Sequence, residues 1–239
     1  MREWLDGFCM AWGMFLAIPC PARRWNEAAR RKMVACLPLV GVIVGAVWAL
    51  CGWLGGLLPR PLAAALCAAA PWLATGFLHL DGFMDVCDGI LSRRELETRR
   101  RILKDSHCGA FAVICMVLLA LGQWSAFLSM ADVPLWPLAL LPVASRAAAA
   151  VAVLTLRPMG TSQYSAMARG GAPAAVSAAL LAAVIVPLAL WGSWGPLCAA
   201  AGYGSAVCHG FRQFDGMSGD VSGFALVIGE LCGVLALLI

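Results

Sequence analysis

Residues 33–59 read MVACLPLVGVIVGAVWALCGWLGGLLP and contain no Asp, Glu, Lys or Arg. A membrane-spanning helix needs about 20 mainly apolar residues, so this stretch is long enough for one span near 34–57. Another uncharged run, 170–211, is long enough for two spans. The remaining runs are 61–80, 106–131, 133–156 (interrupted only by Arg146) and 221–239 (which holds Glu230). Together these runs predict seven spans.

The composition agrees with a membrane protein. Of the 239 residues, 62% are hydrophobic and 13% are charged, whereas a soluble domain has about 45–50% apolar and about 25% charged residues. That is too little charge to cover a water-facing surface, which argues against a nucleic-acid binder or a disordered chain. The 11 cysteines form no CxxC pair and indicate neither a zinc site nor a disulfide framework. We predict an all-α, polytopic membrane helix bundle that forms a single domain over 1–239.

A shorter apolar segment, 8–18, precedes the first of these spans. It resembles the core of a signal peptide, but Glu3 and Asp6 precede it and no small-residue cleavage site follows. We expect the segment to be retained, either as an eighth span or as a re-entrant or interfacial helix.

The basic residues predict an orientation. Seven alternating spans divide the connections into two sets, and fourteen Lys and Arg lie on one side, with only Arg60 on the other. Loops that are rich in Lys and Arg remain in the cytoplasm. We therefore expect the polar loops near 20–33, 81–107, 157–170 and 210–220 to be cytoplasmic and to form the working face.

The most informative polar segment is 76–89, which reads GFLHLDGFMDVCDG. On a helix, Asp81, Asp85 and Asp88 stand at i, i+4 and i+7 and fall within an arc of about 60°. Like charges at this spacing repel, and Mg²⁺ is commonly held by carboxylates together with substrate phosphates. The pattern indicates a Mg²⁺ site for a phosphate-containing substrate; the alternative is a set of helix caps and solvated loop residues. His79 points about 160° away from Asp81 on an ideal helix, and is either a hydrogen-bonded bystander or a catalytic group.

Two more segments fall on the same predicted face. Residues 104–109 read KDSHCG and open a span, so Asp105 or Ser106 is either a helix cap or part of a site. Residues 214–220 read FDGMSGD and form a Gly-rich turn before the last span. Backbone N–H groups at such a helix start bind phosphate, and Asp220 is a further metal-ligand candidate.

Two charged residues lie deep in predicted spans. Glu230 is costly in lipid, so we expect it to point into the bundle. Arg146, in the fourth span, is the candidate partner of Glu230 or a phosphate ligand.

These motifs, in this order, resemble the cobalamin synthase family, the adenosylcobinamide-GDP ribazoletransferases. The resemblance covers essentially the whole chain. It rests on HLDGFMDVCDG at 79–89, RILKDSHCGAF at 101–111, SGD at 218–220, and the shorter matches at 18–21, 37–41 and 157–160. The chain departs from the family pattern at Asp215, where the family has Gly, at Ser218, where it has Thr, and at Val227, where it often has a second acid.

The resemblance implies an enzyme of the bacterial inner membrane that uses Mg²⁺. It would join adenosylcobinamide-GDP to α-ribazole, or to α-ribazole 5′-phosphate, and release GMP. The implied catalytic residues are Asp81, Asp85, Asp88 and His79; the implied metal ligands are Asp81, Asp85, Asp88 and Asp220. The implied substrate-binding residues are Lys104, Asp105, Ser106, Arg146, Gly216, Ser218, Gly219 and Glu230. The expected partners are these small molecules and the lipid bilayer, not nucleic acid, with a homo-oligomer or a biosynthetic complex left open.

Two other functions are alternatives to this one. A CDP-alcohol phosphatidyltransferase also uses Asp clusters at a membrane face, but its motif needs Ala-Arg soon after Asp-Gly, and here Asp88-Gly89 is followed by ILSR. A cation or proton transporter would favour acids near mid-membrane and paired halves, whereas these acids lie mostly at one interface.

Overall fold

The computed structural model describes residues 2–22, 25–160, 171–190 and 192–239, with the backbone alone for 186–190. Of the predicted basic residues, Arg23, Arg24 and Arg169 lie outside the described residues, as does most of the 157–170 loop. The described residues form these α-helices: α1 (Arg2–Phe15), α2 (Arg30–Ala35), α3 (Leu37–Gly55), α4 (Arg60–Ala74), α5 (Leu78–Leu91), α6 (Leu96–Ile102), α7 (Ala110–Ser129), α8 (Leu135–Thr155), α9 (Ala172–Leu190), α10 (Gly195–Phe214) and α11 (Gly219–Ala236).

The helices confirm an all-α, multi-pass membrane protein. Four of those described, α3, α7, α8 and α11, are long and apolar enough to cross a membrane, and the bent pair α4–α5 gives a fifth. Helices α9 and α10 lie where the two spans of the 170–211 run were predicted. Over the described residues, neither α9 nor α10 combines the length and the mean hydropathy of a candidate membrane span. The prediction of seven spans is therefore supported for four or five of them.

The predicted span at 61–80 was wrong in one important respect, because the chain turns sharply inside it. Helix α4 ends at Ala74, and α5 starts at Leu78 at an angle of 92° to it. The backbone N–H of Phe77 donates to the carbonyl of Trp72, and that of Gly76 donates to Leu73. These are the two bonds of a Schellman motif, and Gly76 adopts the left-handed conformation that the motif needs (φ 58°).

This break changes the location of the acidic residues. Residues 81–91, predicted as the start of a cytoplasmic loop, belong instead to helix α5. Helix α4 alone is only about 22 Å long at 1.5 Å per residue, which is short of the hydrocarbon thickness. Helix α5, which turns away from the direction of α4, therefore carries Asp81, Asp85 and Asp88.

Helix α1 lies at the end of the bundle and is not among the candidate spans. It packs against α2 and α3, Glu3 forms an ion pair with Lys32, and Asn26 donates to the Asp6 carboxylate over 3.1 Å. With 14 residues it is too short to cross a bilayer. Of the alternatives predicted for the N-terminal segment, an eighth span is excluded for the described helix.

The other helices pack around α8 and α11. Helix α8 contacts α3, α9, α10 and α11, while α11 also contacts α5 and α10. At the core of the α3–α4–α7 group, the fully buried Trp48 donates its indole N–H to the carbonyl of Cys67 over 2.7 Å. Arg60 lies at the far end of the same group and donates to the carbonyls of Leu128 and Met130, at the end of α7. The one basic residue predicted on the outer side therefore closes a helix C-terminus.

Candidate active site at the basic end of the bundle

The site is built where α5 and α11 come unusually close together. A Cβ atom placed on Gly82 would lie 2.8 Å from the Cα of Asp220, and one on Gly223 would lie 3.2 Å from the carbonyl oxygen of His79. Any larger side chain at these positions would force the helices apart. The two glycines thereby allow Asp81 of α5 and Asp220 of α11 to lie close to each other.

Ser218 fixes the start of α11. Its hydroxyl accepts a hydrogen bond from the N–H of Val221 over 3.2 Å and donates to a carboxylate oxygen of Asp220 over 3.4 Å. This is the N-cap arrangement that Ser favours. The predicted Gly-rich turn before the last helix is confirmed, and Ser218 both ends that turn and orients Asp220.

A cavity of about 160 Å³ opens beside these residues. It brings together five of the predicted site residues, namely His79, Asp81, Arg146, Gly219 and Asp220. Its remaining wall is mostly apolar and comes from several helices: Met14, Phe15, Leu37, Leu78, Val153, Ser222, Gly223 and Leu226. The cavity therefore combines carboxylates, an arginine and a histidine within an apolar lining.

Arg146 and Glu230 form a buried ion pair under this cavity. Arg146 Nη1 lies 2.5 Å from Glu230 Oε1, and the Arg146 side chain is only 1% exposed. Ser145 also donates to Glu230, over 3.2 Å. Within the described residues, the Nε atom of Arg146 is buried without a hydrogen-bond partner. The structure confirms that Glu230 points into the bundle and pairs with Arg146, and it leaves one guanidinium donor unused.

Asp85 lies within the same negative field. The charges of Asp81, Asp220 and Asp88 all act on its carboxylate, and Asp85 is half-buried on α5. Among the described residues, no group of three or more His, Cys, Asp or Glu side chains is arranged to hold a metal ion. These carboxylates therefore share a region of negative charge and do not form a ready-made set of metal ligands. Asp81 and Asp220 are the two acids that line the cavity itself.

Asp88 is engaged in a different way. Its two carboxylate oxygens accept backbone hydrogen bonds from Gly109, over 2.6 Å, and from Ala112, over 2.9 Å. These donors belong to the start of α7, so Asp88 caps a neighbouring helix where N–H groups lack partners within the helix. Its role as a metal ligand stays a prediction, beside this structural role.

Replacing Asp88 by Ala should lower the free energy of unfolding by about 1–3 kcal/mol, because two N–H groups of α7 lose a charged acceptor. Asp88→Asn keeps one acceptor oxygen and should lose less. Thermal unfolding in detergent measures the difference, with the exposed Asp132→Ala as the matched control. A stability of Asp88→Ala equal to that of the control would contradict the capping role.

Asp215, one of the three departures from the family pattern, is neutralised by two arginines. Its carboxylate pairs with Arg100 at 3.3 Å and with Arg157, and its carbonyl accepts from each guanidinium over 3.2 Å. The adjacent backbone joins Met217 to Arg157 and Met159 through two hydrogen bonds of 2.9 and 2.8 Å. Asp215 therefore joins α6, the segment after α8 and the turn that leads to Asp220.

The backbone of Asp215 is left-handed (φ 53°), which costs a residue with a Cβ about 1–2 kcal/mol and a glycine almost nothing. We expect Asp215→Ala to be less stable than Asp215→Gly by about 1 kcal/mol, although both lose the two arginine pairs. Urea or thermal unfolding of the two variants measures this. Equal stability, or a more stable Ala variant, would show that this backbone conformation is not maintained.

Some predicted site residues lie elsewhere. Lys104, Asp105 and Ser106 are exposed and do not line the cavity. A hydrogen bond between the His107 ring and the Asp105 carboxylate lowers the pKa of Asp105 below its ordinary value. Asp105 also accepts the backbone N–H of His107 over 3.0 Å, so its visible role is to stabilise a turn before α7. Gly216 is buried in the turn that Asp215 holds.

Sequence reasoning missed several parts of this site. Met14 and Phe15 of α1 line the cavity, and the Phe15 ring stacks on His79 with centroids 6.3 Å apart. No signal in the sequence indicates that an N-terminal amphipathic helix reaches the acidic segment. Arg99 and Arg100, in the loop predicted at 81–107, bind Gln213 and the carbonyl of Phe214 at the end of α10.

A multi-pass helical membrane protein that gathers carboxylates and a buried arginine around one cavity has the features of a membrane-embedded enzyme for phosphate-containing substrates. The chain matches the family model described as cobalamin-5-phosphate synthase over residues 7–238, and it belongs to that family.

Curated relatives extend over the full chain. A protein of Clostridium botulinum (strain Alaska E43 / Type E3) is 37% identical, with 99% of this chain and 98% of the relative covered. One of Clostridium perfringens (strain 13 / Type A) is 36% identical with 99% of each covered, and one of Geobacillus kaustophilus (strain HTA426) is 32% identical with 100% and 98% covered. All three are named adenosylcobinamide-GDP ribazoletransferase. No solved structure matches the chain.

Proposed function

We propose that this protein transfers the adenosylcobinamide phosphate unit of adenosylcobinamide-GDP to α-ribazole or α-ribazole 5′-phosphate, and so completes the nucleotide loop of cobalamin. The products are adenosylcobalamin, or its 5′-phosphate, and GMP. The observation that carries the proposal is the single cavity lined by Asp81, Asp220 and Arg146. Family membership and full-length relatives with this named activity support it.

The residues present fit a Mg²⁺ ion. This ion is usually held by one or two carboxylates, with substrate phosphates and water completing the octahedron. Asp81 and Asp220 supply two carboxylates on one cavity, and Asp85 adds negative charge beside them. Asp81 and Asp220 would hold the ion, which would supply positive charge against the negative charge that develops during transfer. A set of three protein donors is not needed for such a site.

Arg146 is proposed to bind the diphosphate from the floor of the cavity. A guanidinium forms strong, charge-assisted bonds to phosphate oxygens, and Arg146 lines the same cavity as Asp81 and Asp220. Glu230 and Ser145 hold the guanidinium in position from below. The carboxylates and Arg146 would then act on phosphate groups in the same cavity.

In the proposed reaction, a ribose hydroxyl of the ribazole attacks the phosphorus that carries the cobinamide arm. A new P–O bond forms, the bond to the bridging oxygen of the diphosphate breaks, and GMP leaves with the bonding electrons. His79 and Asp81 both line the cavity, and they are the two candidates for the acceptor of the hydroxyl proton. The apolar wall limits the access of water, which would otherwise compete as the nucleophile.

We further propose that the basic end of the bundle, which carries the loops predicted near 20–33, 81–107, 157–170 and 210–220, lies on the cytoplasmic side of a bacterial inner membrane. Fourteen Lys and Arg on this side against Arg60 on the other support this orientation. The site would then open toward the compartment that holds nucleotides.

The proposed activity is tested with the purified protein in liposomes. The protein receives adenosylcobinamide-GDP with α-ribazole in one reaction, and a CDP-alcohol with an acceptor alcohol in another, both with Mg²⁺. We expect GMP and an equal amount of cobalamin in the first reaction and no CMP in the second. Release of CMP without GMP would favour a CDP-alcohol phosphatidyltransferase, and neither product from an inserted, folded sample would contradict the proposal.

A further inference from the structure

The cavity is too small for the whole proposed substrate. Pockets for drug-sized ligands have volumes of about 300–1,000 Å³, whereas this cavity has about 160 Å³. It suits a phosphate-sized group and leaves the bulky macrocycle of a corrinoid outside. The macrocycle therefore needs a second surface directly beside the cavity.

Such a surface exists along α1. A groove of about 760 Å³ lies between α1 and the segment that follows it. Met14 lines both the groove and the cavity, so the two adjoin at this side chain. The groove is lined by Cys9, Met10, Gly13, Met14, the residues 16–20 and Trp25.

Hydrogen bonds fix the segments beside the groove. Trp12 donates its indole N–H to the carbonyl of Ile18 over 2.8 Å, and the N–H of Ala17 donates to Ala74 at the end of α4 over 2.9 Å. Trp25, which is 59% exposed, is oriented by a bond of 2.7 Å from its indole to Glu27. Pre-formed walls of this kind are typical of small-molecule sites.

The position of the groove favours a substrate over lipid chains. Its outer wall at 16–20 is non-helical, and irregular backbone facing the hydrocarbon core leaves polar groups without partners. The groove also adjoins the basic end through the Ala17 bond to the break before α5. It therefore opens at the interface, where a water-soluble corrinoid arrives.

We propose that this groove binds the corrin macrocycle while the diphosphate arm of the same molecule enters the cavity. The proposal rests on the proposed function. Flexible Met side chains and an oriented Trp ring can pack against the rim of a large macrocycle. The groove would thereby contribute affinity for the corrinoid and none for α-ribazole.

Gly13 allows the groove to be filled without disturbing the protein. A Cβ atom at Gly13 meets no atom within 4 Å, so Gly13→Leu places its side chain in the open space of the groove. Leu also favours a helix more than Gly does. The control is Gly204→Leu on α10. A Cβ atom at Gly204 likewise meets no atom within 4 Å, and Gly204 does not line the cavity.

The experiment measures three quantities for each variant, one Kd and two KM values. The Kd is that of adenosylcobinamide, which has no diphosphate, by equilibrium dialysis with protein in detergent; the KM values are those of the two substrates. For Gly13→Leu we expect the Kd and the corrinoid KM to rise about tenfold, with the KM of α-ribazole unchanged. Gly204→Leu should match the wild-type protein in all three.

The outcomes separate this inference from the proposed function. Weaker adenosylcobinamide binding by Gly13→Leu alone supports the groove even if the wild-type protein shows no transfer. Unchanged binding and KM in Gly13→Leu would overturn the inference and leave the groove to lipid, whether or not transfer occurs. Equal losses in both Leu variants would also overturn it, because the effect would then not depend on the groove.

Discussion

Replacing Asp81 by Asn should reduce the rate of GMP formation by about 100- to 1,000-fold while the protein still inserts and folds. Asn has nearly the shape of Asp but lacks the negative charge that a divalent cation needs. Asp81 lines the cavity together with Asp220 and is exposed rather than packed in the core. Its loss should therefore affect chemistry far more than stability.

The matched control is Asp132→Asn, the same change on an exposed acid between α7 and α8. It should retain the wild-type rate. Membrane fractionation and the unfolding temperature establish insertion and folding for both variants. Wild-type turnover by Asp81→Asn would remove the metal assignment for this residue.

The second large effect is expected at the buried ion pair. Arg146→Met leaves Glu230 as an unpaired buried charge, which should cost about 3–5 kcal/mol in unfolding free energy. The double variant Arg146→Met/Glu230→Met has no buried charge left and should regain most of that stability. It should nevertheless remain inactive, because the proposed phosphate ligand is missing.

This design separates two roles of Arg146. Thermal unfolding reports the pairing, and GMP formation reports the contact with the substrate. Full activity in the stabilised double variant would show that Arg146 only neutralises Glu230. If the stability loss of the double variant equals the sum of the losses of the two single variants, the two side chains do not stabilise each other. That result would contradict the ion pair inferred from the 2.5 Å contact.

The course of the chain was predictable where hydropathy alone decides it. The uncharged run at 33–59 forms helix α3, and the runs at 106–131 and 133–156 form α7 and α8. The run at 61–80 misled because hydropathy measures the cost of transfer into lipid and carries no information on backbone direction. The sequence did contain one indication of the break, Gly76. A glycine directly after the last residues of a helix commonly ends that helix.

The site divides in a similar way. Asp81, Asp220, Arg146 and His79 were predicted from charge and position, and the structure brings them to one cavity. The capping of α7 by Asp88 and the pairing of Asp215 depend on which helix ends meet in three dimensions. A single sequence contains no distance information of that kind. The exposed Lys104, Asp105 and Ser106 were selected by their place in a motif, and their stretch adjoins α7 rather than the cavity.

The central claim is that the carboxylates on this cavity act on a diphosphate through a divalent cation. The most direct measurement is the release of GMP by wild-type protein in liposomes supplied with adenosylcobinamide-GDP and α-ribazole. The rate is followed first with Mg²⁺, then after EDTA, and then after Mg²⁺ is restored. We expect GMP release that stops with EDTA and returns with Mg²⁺. GMP release that continues unchanged in excess EDTA would contradict the claim.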